Sequence, residues 1–436
     1  LRTVIVGAGV AGLTLAERLL CSGSGESVTV LERETAPGGL ARTFNVSGFD
    51  FDIGPHRFHT FNPEVNAYLR NILAGSFVEI SRKSSVYMEG KYRNWPLTAA
   101  SVMGLPFPVL WKSFRDLFFK PNIPEVRNFA DFIRSRYGDN LYNFFFAGYT
   151  RKFTGTDSEN LHIDWAQAGV NRAVIDDRVK ADSLLSLIKG MLLPKAVETK
   201  FLYPSTGGIQ TFCNIQRERI EAQGGKILLG TKAEQLAVEN NCVCGAILES
   251  GEVIPADRVF WTAPITILFP ETGLKFINTL TANVALSRPN PVNNYQWCYF
   301  GQEDILFSRL TVPGNFREDC VPPGRGSIIA EISCDSRSEF WTDPEAVRNR
   351  LVEDLKKVGA VRGDDILFID WQRIPETYPV YSLDYREKLA SITIPDGLFL
   401  TGRCGSFWYN NMDHSIDQAI SIVQGSEYRK DFWNQR

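Results

Sequence analysis

An apolar, β-branched run from Val4 to Val6 leads into a glycine-rich turn, and "TLAERLLCSG" beyond it has its apolar residues at helical spacing. A second strand pattern, "SVTVLERE", completes a βαβ unit. Between roughly residues 96 and 190, aromatic and apolar residues recur with helical period, as in "NFADFIRSRYG" and "SLLSLIKGMLL", which predicts an inserted helical region. From "YPSTGGIQTFCNIQRERIEAQGGKILLGT" the order returns to glycine, helix, strand, and "ESGEVIPADRVFWTAP" reads as a hairpin feeding another buried strand. Short strand patterns dominate from about residue 266 to 385, including "NNYQWCYFGQ", "GSIIAEISC" and "ILFIDWQRI", and predict a mostly antiparallel sheet. The stretch "DGLFLTGRCGSFWYNNMDHSIDQAISIVQG" reads as strand, loop and helix and should rejoin the first unit.

Composition narrows the function classes. The length of 436 residues suggests two or three domains, and a net charge of -3 with 22% charged residues lacks the basic excess of a nucleic-acid binder. No apolar stretch reaches the roughly 18 to 20 residues that span a bilayer, so a cytoplasmic protein without a transmembrane segment is expected. "LPFPVLWKSFRDLFF" is expected to pack inward rather than lie on a membrane. The eight cysteines are scattered, and Cys242 and Cys244 have the spacing of one strand face rather than a CxxC pattern; reduced, buried thiols are expected.

Gly7, Gly9 and Gly12 form GxGxxG between strand and helix. The first glycine permits the tight turn, the second lets backbone approach a pyrophosphate, and the third lets helix and strand pack closely. The helix N-terminus then offers unpaired N–H groups to phosphates. Glu32 ends the second strand, where a carboxylate can accept hydrogen bonds from ribose hydroxyls. The segment "DIGPHRFHTF" raises a separate question, because it holds His56 and His59 three residues apart. Metal binding is disfavoured, since no third ligand has zinc-like spacing. On a strand the two rings would point to opposite faces, so at most one should face a bound cofactor.

Further segments resemble a known family. "ERETAPGGLART", with Gly38, Gly39 and Arg42, resembles the second FAD segment of the amine oxidase and UDP-galactopyranose mutase group; "RVFWTAP" and "LFLTGRCGS", with Gly402 and Arg403, resemble two more. The resemblance implies FAD as cofactor. With the order of elements read above, this gives an α/β fold: a discontinuous Rossmann-like FAD-binding domain (1–75, 195–265 and 390–436), a helical insertion (96–194) and a mostly antiparallel substrate domain (76–95 and 266–389). "DIGPHRFHTF" is similar to the "GxHxFHT" segment beside the isoalloxazine ring in UDP-galactopyranose mutases, which puts Gly54 and His56 near the flavin and leaves His59 to pack. "GDNLYNFFFAGYTRKFTG", "LFSRL", "TYPVYSLDYRE" and "GSFWYNNMDHSIDQAI" resemble that family's loop, arginine, tyrosine and flavin-edge segments, the last carrying Met412.

The reaction so implied is a mutase reaction without net redox: reduced flavin N5 attacks the anomeric carbon of a nucleotide sugar, most simply a UDP-sugar, and pyranose and furanose forms interconvert. Arg309 then matches a diphosphate-binding arginine, a role suited to a permanently charged fork. Arg172 is the candidate for a second, although Asp176 and Asp177 just downstream make a surface ion pair the competing reading. Tyr378, Tyr409 and Asn411 match residues that contact diphosphate or sugar. Tyr149 agrees with the family, whereas Thr154 stands where many mutases carry tryptophan. Asp413 and His414 are expected to cap the last helix. The alternative is an oxidoreductase of the amine oxidase or protoporphyrinogen oxidase kind, for which the cavity should be aromatic and uncharged.

Overall fold

The computed structural model describes residues 1–95, 107–119, 123–166, 200–292 and 294–425. Strand Arg2–Val6 sits in the middle of a five-stranded parallel sheet, with Ser27–Leu31 and Lys226–Leu228 on one side and Arg258–Trp261 and Leu398–Leu400 on the other. A parallel strand buried on both faces needs an unbroken apolar run. Ile5 turns to the layer built by helices Val10–Cys21 and Met412–Val423, where it shares a core with Leu13, Ala16, Ile416 and Ile420. Val4 and Val6 turn the other way, towards Ala233, Val243 and Ala246 of a three-stranded antiparallel sheet. Each fully buried leucine in such a layer contributes about 1.5–3 kcal/mol. The chain winds outward on one side of Arg2–Val6 and returns on the other, so a crevice opens at the carboxyl end of that strand.

The second sheet has seven strands in the order Ile366–Val380, Lys275–Leu286, Gly326–Cys334, Arg309–Thr311, Trp297–Phe300, Ser84–Met88, Lys91–Trp95. Every pairing is antiparallel except that of Trp297–Phe300 with Ser84–Met88. The α/β fold with a parallel sheet and a separate, mostly antiparallel one is therefore the one expected from sequence. Alternation along Trp297–Phe300 sorts its side chains: Cys298 and Phe300 join the sheet's own core, while Trp297 and Tyr299 face the parallel-sheet half.

Of the helical region, "NFADFIRSRYG" falls in helix Phe129–Leu141, continued by a π-helical turn, Tyr142–Ala147, and by helix Gly148–Thr154. "SLLSLIKGMLL" and Arg172 lie outside the described residues. Two expectations are corrected. Helix Phe107–Phe118 and its end leave Phe107, Trp111 and Phe119 exposed rather than packed inward. All eight cysteines are free, but Cys21 and Cys242 are exposed, so burial is not general. Among the described residues no helix is long and apolar enough to cross a membrane.

Asp52 ties the hairpin Thr43–Val46/Phe49–Asp52 to the parallel-sheet half. Its carboxylate accepts from Thr43 Oγ1 at 2.6 Å, Tyr203 Oη at 2.6 Å and the Ile209 N–H at 3.1 Å. Gly208, at φ +69°, leaves room for this knot, because a Cβ there would lie 2.4 Å from Thr43 Oγ1 and 2.7 Å from Asp52 Oδ1. Gly208→Ala should therefore destabilise the protein by about 2–4 kcal/mol through strain and lost buried hydrogen bonds. Urea denaturation checks it; an unchanged midpoint would remove the knot from the account.

Candidate cofactor and substrate site

The crevice is lined by the glycine turn. Gly7 has φ +105°, and a Cβ on it would lie 2.3 Å from Thr262 Oγ1; one on Gly12 would lie 2.0 Å from the Gly7 carbonyl oxygen. Both positions thus require glycine for the protein's own packing. Gly9 differs, since its Cβ would meet nothing nearer than Gly39 Cα at 3.8 Å. The absent side chain there leaves space between the two glycine loops, which approach closely through the Gly38 N–H to Ala8 carbonyl hydrogen bond of 2.8 Å. Glu32 accepts from the Ala8 N–H at 2.7 Å and the Glu34 N–H at 3.0 Å, so it shapes the turn whatever else it binds. Arg42 pairs with Glu34 at 3.0 Å and donates to the Gly39 carbonyl at 3.1 Å.

Gly7, Gly9, Glu32, Gly38, Gly39 and Arg42 line one cavity of about 190 Å³. A larger one, about 510 Å³, adjoins it. His56, Arg403, Asn411 and Met412 line both, and they mark the junction between the two. Gly54 and Gly402 act by letting backbone approach: a Cβ on Gly54, at φ +78°, would lie 3.1 Å from the Glu331 carboxylate, and one on Gly402 2.8 Å from Ala11 Cβ.

Sheet register assembles the larger cavity's polar side. Arg309 is directly opposite Tyr299 on one neighbouring strand and Glu331 on the other. Its fork grips Glu331 with both arms, Nε to Oε1 at 2.6 Å and Nη2 to Oε2, and Nη2 reaches Tyr378 Oη at 3.4 Å. Burial works against the Arg309 cation, but the Glu331 carboxylate outweighs it and holds its pKa well above the ordinary value. Arg403 donates to the Asn410 carbonyl at 2.6 Å and the Thr377 carbonyl at 3.1 Å, with Tyr378 and Tyr409 rings 4.9 and 5.7 Å from its guanidinium. Those two tyrosine rings meet edge to face, 4.9 Å apart. Asn411 begins the last helix, and its N–H donates to His414 Nδ1 at 3.2 Å, so capping involves His414 as expected.

The opposite wall is aromatic: Phe144, Phe145 and Phe146 from the π-helical turn, then Tyr149, Phe153 and Trp165. Tyr149 stacks on Phe153 with ring centroids 5.8 Å apart, and burial raises its hydroxyl well above the usual range. Thr154 is buried but does not line the cavity; its hydroxyl donates back to the Thr150 carbonyl at 2.8 Å and accepts from the Thr156 N–H at 3.1 Å, closing the helix end.

The histidine expectation needs correction. Residues 53–55 are bends and 56–60 are irregular apart from one bridge at Phe58, so the opposite-face rule does not apply and both His56 and His59 line the larger cavity. Both rings are held neutral. Burial, with Arg403 and Arg309 nearby, lowers His56 to about 3, and burial with Arg57 and Arg82 lowers His59 to about 4. Among the described residues no group of three or more His, Cys, Asp or Glu could hold a metal ion. Sequence reading passed over Arg57, Tyr299, Trp165 and Glu331. Arg57 was visible inside "DIGPHRFHTF", but Glu331 is recognisable only once register sets it opposite Arg309.

The model of flavin containing amine oxidoreductases matches residues 10–421. The chain belongs to that family. Its cofactor, as in this flavoprotein family, is FAD, and the open glycine cradle at Gly9 beside Glu32 and Arg42 fits a dinucleotide. The fold of this amine oxidoreductase family member is similar to that of reduced UDP-galactopyranose mutase, with a TM-score of 0.81 at 19% identity over 97% of this chain and 93% of that one. It is also similar to a structure assigned as a protoporphyrinogen oxidase from Exiguobacterium sp. 255-15, with a TM-score of 0.74 at 16% identity over 97% and 98%. In sequence, coproporphyrinogen III oxidase of Staphylococcus aureus is 21% identical over 259 residues, which are 53% of this chain and 54% of that one. The matches span between 10% and 54% of the first curated relatives' lengths.

The glycines separate by experiment. Gly9→Ala should leave the melting temperature of the FAD-free protein nearly unchanged while lowering retained FAD, whereas Gly12→Ala should cost about 2–4 kcal/mol of stability by collision with the Gly7 carbonyl. Equal effects on stability would contradict the assignment.

Both histidines have folded pKa values below their unfolded value of about 6.5, so the folded state binds fewer protons below that pH and stability falls as pH drops from about 6.5 towards 4. The slope should be at most about 1.4 kcal/mol per pH unit per group. His56→Gln combined with His59→Gln should flatten this limb of the urea-midpoint profile; an unaltered slope would show that other groups set it.

Proposed function

We propose that this flavoprotein is a nucleotide-sugar mutase of the UDP-galactopyranose mutase kind, interconverting pyranose and furanose forms of a UDP-sugar. One observation carries the reading: Arg57, Arg309, Arg403, Tyr378 and Tyr409 line a cavity that meets the cofactor cavity at His56, Arg403, Asn411 and Met412. Gly7, Gly9, Glu32, Gly38, Gly39 and Arg42 would hold the nucleotide part of FAD, and Arg403 and Met412 its ring end. Bound and reduced, FAD supplies a nucleophilic ring nitrogen. The protein's own contribution is electrostatic and positional. Fixed guanidinium charge stabilises a departing diphosphate in a cavity of about 510 Å³, and the aromatic wall excludes water. Tyr378 and Tyr409 offer neutral donors that bind an anion and release it again. Glu331 holds Arg309 in place, leaving part of its fork for substrate. His56, neutral above its pKa of about 3, presents an uncharged ring where a cation would compete for the nucleophile. Asn411 is proposed as a sugar contact, and Arg172 remains the sequence candidate for a further diphosphate contact.

A second reading, oxidation of a flat, apolar substrate, is favoured by the aromatic wall of Phe144, Phe145, Phe146 and Trp165 and by the oxidase among the curated relatives. Chromatography of UDP-galactopyranose incubated anaerobically separates the two. The mutase reading expects the furanose product with dithionite-reduced protein and none with oxidised protein; oxygen uptake with a porphyrinogen or amine, and no sugar isomerisation, would replace it. Arg309→Lys keeps a charge against Glu331 but loses the planar fork, and should lower kcat/KM by about 100-fold with FAD content retained.

A further inference from the structure

One helix stands outside both cavities. Helix Phe107–Phe118 is fastened to helix Phe129–Leu141 by a polar contact: buried Asp116 accepts from the Asn140 N–H at 2.9 Å and from Asn140 Nδ2 at 2.8 Å. Gly138, at φ +83°, permits the approach, because a Cβ there would lie 2.5 Å from Asp116 Cβ. Held in this way, the helix turns Phe107, Trp111 and Arg115 outward at four-residue spacing, and Phe119, whose N–H donates to the Arg115 carbonyl at 3.0 Å, extends the row. Lys112 beside them is exposed too. The Phe107 and Trp111 rings stack with centroids 6.5 Å apart. Phe107 and Phe119, both 75% exposed, are the most open large apolar side chains among the described residues, and Trp111 is 58% exposed.

An aromatic row of this kind costs free energy in water, and contiguous exposed apolar surface on a protein marks a contact site. Charge decides which contact. Two cations, Lys112 and Arg115, are exposed within the row, and among the described residues neither has a carboxylate within ion-pair distance. The helix's single carboxylate, Asp116, is buried. A second copy of this chain, meeting the face symmetrically, would set these cations against their own copies. An anionic lipid surface complements both features: aromatic rings settle at the level of the headgroups, and cations meet the lipid phosphates. The helix is too short to span a bilayer, since its 12 residues rise about 18 Å against a hydrocarbon core of about 30 Å, so it would lie along the surface.

We propose that the outer face of helix Phe107–Phe118 docks the protein on anionic membrane surfaces, with Phe107, Trp111 and Phe119 entering the headgroup layer and Lys112 and Arg115 binding lipid phosphates. The proposal goes beyond the reaction proposed above and does not depend on it. Co-sedimentation of the FAD-loaded full chain tests it, with vesicles of phosphatidylcholine alone and of phosphatidylcholine mixed with phosphatidylglycerol. The mixed vesicles should bind at least tenfold more tightly, and raising the salt from about 0.1 M to about 0.5 M should weaken that binding. Phe107→Ser combined with Trp111→Ser and Phe119→Ser, and separately Lys112→Glu with Arg115→Glu, should each lower affinity for the mixed vesicles at least tenfold, while flavin absorbance and melting temperature stay as in the parent. If the serine variant does not fold, the charge-reversed one carries the same expectation. No binding to the mixed vesicles, equal binding to both lipid compositions, or binding by a folded variant within twofold of the parent overturns the proposal. Concentration-dependent dimerisation in analytical ultracentrifugation that the serine variant abolishes, without vesicle binding, assigns the face to a second copy and overturns it too.

Discussion

The two-armed ion pair between Arg309 and Glu331 is the joint on which both halves of the molecule close. It sits on the antiparallel sheet, yet its outer surface presses on Gly54, in the segment that leaves the nucleotide-binding half; even a single carbon added there would intrude on the pair. A buried pair of this kind contributes little net stability, but breaking it by removing one partner costs about 3–5 kcal/mol, because the survivor is a stranded charge. The pair is therefore better understood as fixing geometry. It sets where Tyr378 and Tyr299 stand, and through Gly54 it fixes the approach of the loop bearing His56 and Arg57.

Much of the cofactor cradle was legible in the chain because its constraints are local. Gly7 and Gly12 are dictated by contacts within one strand-turn-helix, and such steric demands leave a fixed spacing in sequence. The parallel sheet was legible for a similar reason: strands covered on both faces read as unbroken apolar runs. The substrate cavity was less so. Tyr299, Glu331 and Arg309 lie on three strands and become one group only through register, which no single segment encodes. Local reading also misjudged "DIGPHRFHTF", where strand geometry was assumed and a bent segment, pinned by one bridge at Phe58, turns both rings to one side. Thr154, which stands where many mutases carry tryptophan, has a local structural role. Its hydroxyl closes a helix end, and the residue does not line the cavity.

The cavity combines two surfaces that are usually alternatives. Its floor, near the junction, carries guanidinium groups and phenols; its far wall is built from a π-helical turn with three consecutive phenylalanines. Under the mutase reading proposed above, these two surfaces would meet the two ends of one ligand. A uridine diphosphate sugar has that character, with a base to lie against rings and a diphosphate to meet arginines, and this is why the aromatic wall alone does not decide for oxidation.

The pairing of Ser84–Met88 with Trp297–Phe300 has a consequence for how the chain is made. Those strands lie some two hundred residues apart, and the parallel sheet likewise waits for Leu398–Leu400 to flank Arg258–Trp261. During synthesis the early strands must therefore persist with open hydrogen-bonding edges until late segments leave the ribosome, a topology that folds slowly and invites intermolecular association. A protein of the same size built from local hairpins closes its edges as each hairpin forms.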